Sequence, residues 1–216
     1  MTIKAIIFDM DGVVVDSIKH DFAVWKRIFS EFKVPFSFDT YKSFAGMKGM
    51  EIVKRFLNSG LSDAEARVWQ NRKEHYFLEG LREAKLKTTH GLKGLLENIA
   101  KAGNKIGLAT AGTRTKTLAV LKELSLVKYF SAIVTADDVG KGKPHPETFL
   151  KAAARLRCRP EECIVIEDAP NGIRAAKAAG MRCVAITTTH KNTELAEADK
   201  IIDSFDKLTI EDLQNF

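Results

Sequence analysis

The chain has 216 residues, 45% hydrophobic and 29% charged, a composition that excludes collagen-like, disulfide-scaffold and disordered polypeptides. Its 34 Lys and Arg exceed its 28 Asp and Glu by six, which favours anionic partners without choosing among nucleic acid, an acidic membrane surface and phosphorylated metabolites. No run approaches the ~20 apolar residues of a membrane helix, the N-terminus MTIKAIIFDMDG does not read as a signal peptide, and three cysteines (Cys158, Cys163, Cys183) outside any C-x-x-C spacing fit a cytoplasmic protein with reduced thiols.

Residues 3–8, IKAIIF, form a short apolar run of the kind found in a buried parallel strand. Strand signals then vanish over 17–87. Phe22, Trp25, Ile28, Phe29 and Phe32 recur at helical spacing, as do Ile52, Val53, Phe56 and Leu57, so three or four amphipathic helices are expected there, broken at Pro35, Gly46 and Gly60. Beyond Gly91 helices and strands alternate. Helices are expected over 92–102, 116–126, 147–157 and 171–179, and strands over 105–110, 132–135, 163–167 and 182–187. The ending IIDSFDKLTIEDLQNF adds a short edge strand and a closing helix. Alternation of this kind implies an α/β fold with a doubly wound, mostly parallel sheet. Two units follow: a discontinuous core of residues 1–16 and 88–216, and an inserted α-helical cap of residues 17–87.

Ligands of open α/β sheets bind beyond the carboxyl ends of the strands. The polar residues at those ends are Asp9 and Asp11, then Thr110, then Lys143 in a loop, then Glu167 and Asp168. Acids abutting buried apolar runs at successive strand ends repel one another unless a cation lies between them. Hard oxygen ligands from Asp9, Asp168 and Glu167 suit Mg²⁺. A carboxylate can act as a nucleophile in phosphoryl transfer, and Asp11, two residues on, is placed to protonate the leaving oxygen and later deprotonate water. Thr110 and the amides of Ala111 and Gly112 can donate to phosphoryl oxygens, while Lys143 supplies positive charge.

FDMDGVVVDS, LATAG, GKPHPETF and IEDAPNGIRAAKAAGM, in that order, resemble the four motifs of the haloacid dehalogenase superfamily. The resemblance implies a Rossmann-like core in which Asp9 is the phosphoryl-accepting nucleophile and Asp11 the acid/base. It implies that Thr110, Ala111 and Lys143 bind the phosphoryl group. Glu167 and Asp168 join Asp9 and the carbonyl of Asp11 at Mg²⁺. The insertion resembles the cap of the phosphoglycolate phosphatase and β-phosphoglucomutase branch. True dehalogenases lack the second aspartate of the first motif, so Asp11 favours phosphate ester or phosphoanhydride chemistry.

Mutases of that branch carry a cap histidine where this chain has Asp21, with His20 one residue earlier. Their cap arginine falls at Gly49, next to Lys48, and their cap lysine near Arg72 or Lys73. The expected activity is therefore a Mg²⁺-dependent phosphatase acting on a small phosphorylated metabolite through an aspartyl-phosphate, with a β-phosphoglucomutase-like sugar phosphomutase as the alternative. His20, Lys48, Arg72 and Lys73 are the cap residues nominated to contact substrate. A nucleic-acid partner is not expected, because no helix carries a continuous basic stripe. Nor is a membrane partner, and a monomer or weak homo-oligomer is expected. Residues 17–87 hold 14 Lys and Arg against 9 Asp and Glu, so the surplus concentrates in the insertion, as a cationic lid over an anionic substrate would require.

Overall fold

The computed structural model describes residues 2–215; Met1 and Phe216, the outer ends of the two expected core segments, lie outside them. Strand β1 (Ala5–Phe8) is buried throughout. Ile6 and Phe8 join one apolar cluster and Ala5 and Ile7 the other, as the two-residue period of a strand dictates. The chain leaves β1 through β2 (Val15–Asp16), and a helical excursion follows: α1 (Ile18–Glu31), α2 (Phe38–Ser43), α3 (Gly49–Ile52) running into a π turn (Val53–Leu57), and α4 (Asp63–Glu79). It returns through β3 (Lys87–Thr88), which pairs antiparallel with β2 in a ribbon that the sequence pattern did not indicate. Two residues per strand are too few for a period to register.

The remainder supplies α5 (Leu92–Lys101), β4 (Lys105–Ala109), α6 (Arg114–Glu123), β5 (Ala132–Val134), α7 (Glu147–Leu156), β6 (Cys163–Glu167), α8 (Pro170–Ala178), β7 (Arg182–Ile186), β8 (Lys200–Ile202) and α9 (Ile210–Gln214). Helix α6 begins two residues before the expected position. The Thr113 side chain caps it by accepting from the Lys116 amide, and Asp137 accepts from the Arg114 amide. The main sheet has the order β5-β4-β1-β6-β7-β8, with every recorded pairing parallel. Residues of α5, α6 and α9 pack on one face and those of α7 and α8 on the other, giving a doubly wound α/β fold.

The order branches at β1, with β4 on one side and β6 on the other, so the crevice of the sheet opens at the end of β1. Register brings the strand ends level: Phe8 lies opposite both Leu108 and Ile166. The helical excursion has a core of its own around Trp25, Ile28, Phe29, Tyr41, Phe44 and Ile52. It also touches the sheet's cluster through Val24, Phe77 and Leu81.

Candidate active site

Asp9, Glu167 and Asp168 meet where β1 and β6 end, each buried, with one carboxylate oxygen apiece lying within 4.8 Å of the others. Lys143 arrives from the loop after β5 with 1% of its surface exposed, and its ammonium donates to Asp9 at 2.6 Å and to Glu167 at 2.5 Å. The second oxygen of Glu167 accepts from the Asp168 and Ala169 amides at 2.9 and 3.1 Å. Gly172, in the first turn of α8, leaves room for this carboxylate; a Cβ there would collide with it. Asp168 accepts from the hydroxyls of Thr188 and Thr189.

Burial pushes the Asp9 carboxyl up to about 7, with Lys143 pulling it down and Glu167 adding to the rise. Burial, then the neighbouring Glu167 and Asp9, holds Asp168 well above the usual carboxylate range. Despite its burial, Lys143 is pushed up by the same carboxylates and stays charged. Three buried carboxylates with a single lysine leave an excess of negative charge that a divalent cation relieves. An all-oxygen donor set of this kind fits Mg²⁺ rather than a softer metal.

Thr110 follows β4, buried, and its hydroxyl accepts from the Gly112 amide at 3.0 Å. Thr110 and Ala111 line the same cavity as Asp9 and Asp168. Asp11 sits on its wall with both oxygens engaged, one by the Ser17 hydroxyl at 2.5 Å and the other by Lys116 at 2.9 Å. Ser17 holds the N-cap position of α1, yet makes no cap hydrogen bond because its hydroxyl is turned to Asp11.

Lys116 was not singled out from sequence. It is buried on α6, and besides Asp11 it reaches Asp21 of α1 at 3.3 Å. Asp21 also accepts from Lys73 of α4 at 2.5 Å and from the Tyr41 hydroxyl at 3.3 Å. Burial opposes ionisation of Asp21, but Lys116 and Lys73 together hold it well below the usual carboxylate range. A signal was present: Asp21 falls on the apolar stripe of α1, four residues before Trp25, and Lys73 lies four residues before Phe77 on α4.

The four nominated cap residues separate. Lys73 lines the cavity, as do Gln70 and Glu74 from the same helix face. Three do not. His20 turns away from the cavity, its ring nitrogen bonded to the Phe77 carbonyl at 2.8 Å, because one residue on a helix is a 100° rotation. Arg72 lies on the outer face, paired with Glu31 at 2.8 Å and stacked on Trp69. Lys48 is tied to the Val139 carbonyl at 2.7 Å and borders a separate cleft. The helical excursion is therefore not cationic toward the cavity. Asp21, Lys73 and Glu74 are its charged lining residues, and the surplus cations point elsewhere.

Among the described residues no helix is long and apolar enough to cross a membrane. The model of the haloacid dehalogenase-like hydrolases matches residues 6–186. The validoxylamine A 7'-phosphate phosphatase of Streptomyces hygroscopicus subsp. limoneus is 33% identical over 199 residues, covering 92% of each chain. The β-phosphoglucomutase of Bacillus subtilis is 32% identical over 216 residues, covering 96% of this chain and 92% of that one. The crystal structure of β-phosphoglucomutase from Clostridium difficile superimposes with a TM-score of 0.89 at 28% identity, over 99% of this chain and 96% of that one. The chain belongs to the haloacid dehalogenase-like hydrolases and is an enzyme of their phosphoric monoester hydrolase type.

Proposed function

We propose that the chain is a cytoplasmic, Mg²⁺-dependent phosphatase that hydrolyses a small phosphorylated sugar or related metabolite through an aspartyl-phosphate on Asp9. The observation that carries this reading is the buried meeting of Asp9, Glu167, Asp168 and Lys143 at the branch point of the sheet. Residues 1–16 and 88–216 form the catalytic core in this reading, and residues 17–87 its cap. The separate apolar cluster around Trp25 and Phe29 supports that division.

Asp9, Glu167, Asp168 and the backbone carbonyl of Asp11 would hold the ion. When bound, Mg²⁺ supplies charge neutralisation between the carboxylates and the phosphoryl oxygens. Lys143, the Thr110 hydroxyl and the Ala111 amide orient the phosphoryl group. A carboxylate oxygen of Asp9 attacks phosphorus while the bond to the ester oxygen breaks, and Asp11 gives that oxygen its proton. Asp11 then takes a proton from water, whose oxygen attacks phosphorus. The bond to Asp9 breaks, and inorganic phosphate leaves.

The test is phosphate release from a panel of phosphorylated metabolites with and without Mg²⁺, in the native chain and in Asp9→Asn. Release is expected to need the metal and to vanish in the variant. Metal-independent release that survives the substitution would overturn the mechanism. A phosphomutase reading has support from the mutases to which the chain is similar. Conversion of β-glucose 1-phosphate to glucose 6-phosphate faster than phosphate release would select it. Asp21 and Gly49, standing where mutases of the branch carry histidine and arginine, favour the phosphatase.

A further inference from the structure

Helix α6 carries a buried lysine in its first turn. Lys116 is 5% exposed, and its ammonium meets Asp11 Oδ2 at 2.9 Å, Asp21 Oδ1 at 3.3 Å and the face of the Phe77 ring, 4.4 Å from the centroid. An ammonium has three N–H bonds, so none is left for a substrate. The placement is costly twice over: burial strips the charge of water, and the N-terminal turn of a helix disfavours a cation. Asp21 does not account for it, since Lys73 already reaches the same oxygen at 2.5 Å. Asp11 does. Lys116 is its one ion-pair partner among the described residues.

The other oxygen of Asp11, Oδ1, accepts from the Ser17 hydroxyl, which gives up capping α1 to do so. The two partners differ in kind. A hydroxyl both donates and accepts, whereas an ammonium only donates. Oδ2 is thereby kept as an acceptor. Oδ1, beside a group that can turn either way, is the oxygen free to carry a proton.

We infer that Lys116 is a positioning residue for the proton transfers of Asp11: it pins Oδ2 and leaves Oδ1 to give a proton to the departing ester oxygen and to take one from water. This rests on the phosphatase reading, in which Asp11 is the acid and base. Asp21, itself held by Lys73 and the Tyr41 hydroxyl, fixes the ammonium in turn.

The test compares two leaving groups in single-turnover cleavage with Mg²⁺. One substrate is the alkyl phosphate of the metabolite panel that the native chain cleaves fastest; the other is p-nitrophenyl phosphate, whose phenolate departs without a proton. In Lys116→Met, cleavage of the alkyl ester is expected to slow by about 100-fold and that of the nitrophenyl ester by less than about tenfold, as loss of general-acid help requires. Steady-state rates on the alkyl ester should place the loss in kcat rather than KM. Asp21→Asn, which disturbs the same buried cluster but leaves Lys116 on Asp11, is expected to keep the native ratio of the two rates. Thermal melts establish that each variant is folded at the assay temperature, and Lys116→Met/Asp21→Asn stands in should Lys116→Met not be. A crystal structure of the folded Lys116 variant gives a readout free of turnover: the Asp11 carboxylate is expected to have left its present position, with the backbone of β1 unchanged. Equal losses on the two esters, or an Asp11 carboxylate that stays in place, would overturn the inference. Asp11→Asn, assayed alongside, should show the same selective loss; its absence there would overturn the proposed role of Asp11 and the inference with it.

Discussion

Lys116 and Asp21 join the sheet's helix α6 to the helical excursion at 3.3 Å, with Asp11 on the other side of the same ammonium at 2.9 Å. Asp11 and Asp21 thus share one buried cation, and burial alone would drive that cation to lose its proton were the two carboxylates not pushing it the other way. Replacing Lys116 by Met leaves Asp11 without its cation and Asp21 with Lys73 alone. Loss of one partner of a buried ion pair costs about 3–5 kcal/mol. Urea unfolding is expected to show a loss of that size. In a double-mutant cycle with Asp21→Asn, the combined variant should lose at least 1 kcal/mol less than the sum of the singles. Additive losses would mean that the pair is not coupled.

Under the proposed function the carboxylate cluster would make folding sensitive to Mg²⁺. An ion that binds only the folded chain stabilises it by about 2.7 kcal/mol at ~100 times its Kd. For a chain of this size, each kcal/mol moves the melting temperature by about 2–4 °C. Mg²⁺ added to chelator-treated protein is expected to raise the melting temperature by several degrees. Asp168→Asn should abolish most of that rise, whereas Arg72→Ala, on the outer face, should leave it intact.

Gly172 and Gly94 are both helical glycines, and they should respond oppositely to Ala. A methyl at 172 collides with the Glu167 carboxylate, which anchors Lys143; a methyl at 94 meets nothing within 4 Å. Gly172→Ala is expected to destabilise by about 1–3 kcal/mol and, by shifting Lys143, to lower activity by about 100-fold. Gly94→Ala is expected to stabilise by up to about 1 kcal/mol, with activity unchanged. Denaturant melts and initial rates for the two variants decide the point.

The cysteines allow a check that needs no substrate. Burial pushes the Cys163 thiol up to about 12 and Cys183 well above its ordinary value. The thiolate is the reactive form, so at pH 8 both are protonated as well as enclosed. Cys158 is partly exposed and free. Ellman's reagent is expected to find one fast thiol in the folded protein and three after denaturation. A second fast thiol in the native state would contradict the burial of β6 and β7.

The residues at the strand ends were legible because two requirements coincide there. A buried parallel strand must be apolar, so the first polar residue after it marks both its end and the edge where ligands bind. Asp9, Thr110, Glu167 and Asp168 lie next to such runs, and the structure brings them to one cavity, with Lys143 bonded to Asp9 and Glu167. The cap residues lacked that constraint. On an amphipathic helix whose rotation is unknown, His20 and Asp21, or Arg72 and Lys73, are equally good choices. Only tertiary packing separates the residue that lines the cavity from its neighbour on the outer face. Lys116 lay inside the expected helix but a lone lysine there gives no sign of burial, and Gln70 was hidden by carrying no charge. The surplus of positive charge misled for a related reason. A count along the chain has no direction, and here Arg72 and Lys48 are directed to Glu31 and to a backbone carbonyl.

The ribbon of β2 and β3 sets Val15 opposite Thr88 and Asp16 opposite Lys87, so the chain departs for its helical excursion and comes back at a single point. Nothing in the register of β1 with β4 and β6 depends on what is spliced between those two short strands. The excursion is in that sense a cassette. Under the proposed function, changes on its cavity-facing side would alter which alcohol is admitted while Asp9, Lys143, Glu167 and Asp168 keep their places. A descendant of this chain could thereby change its diet without relearning its chemistry.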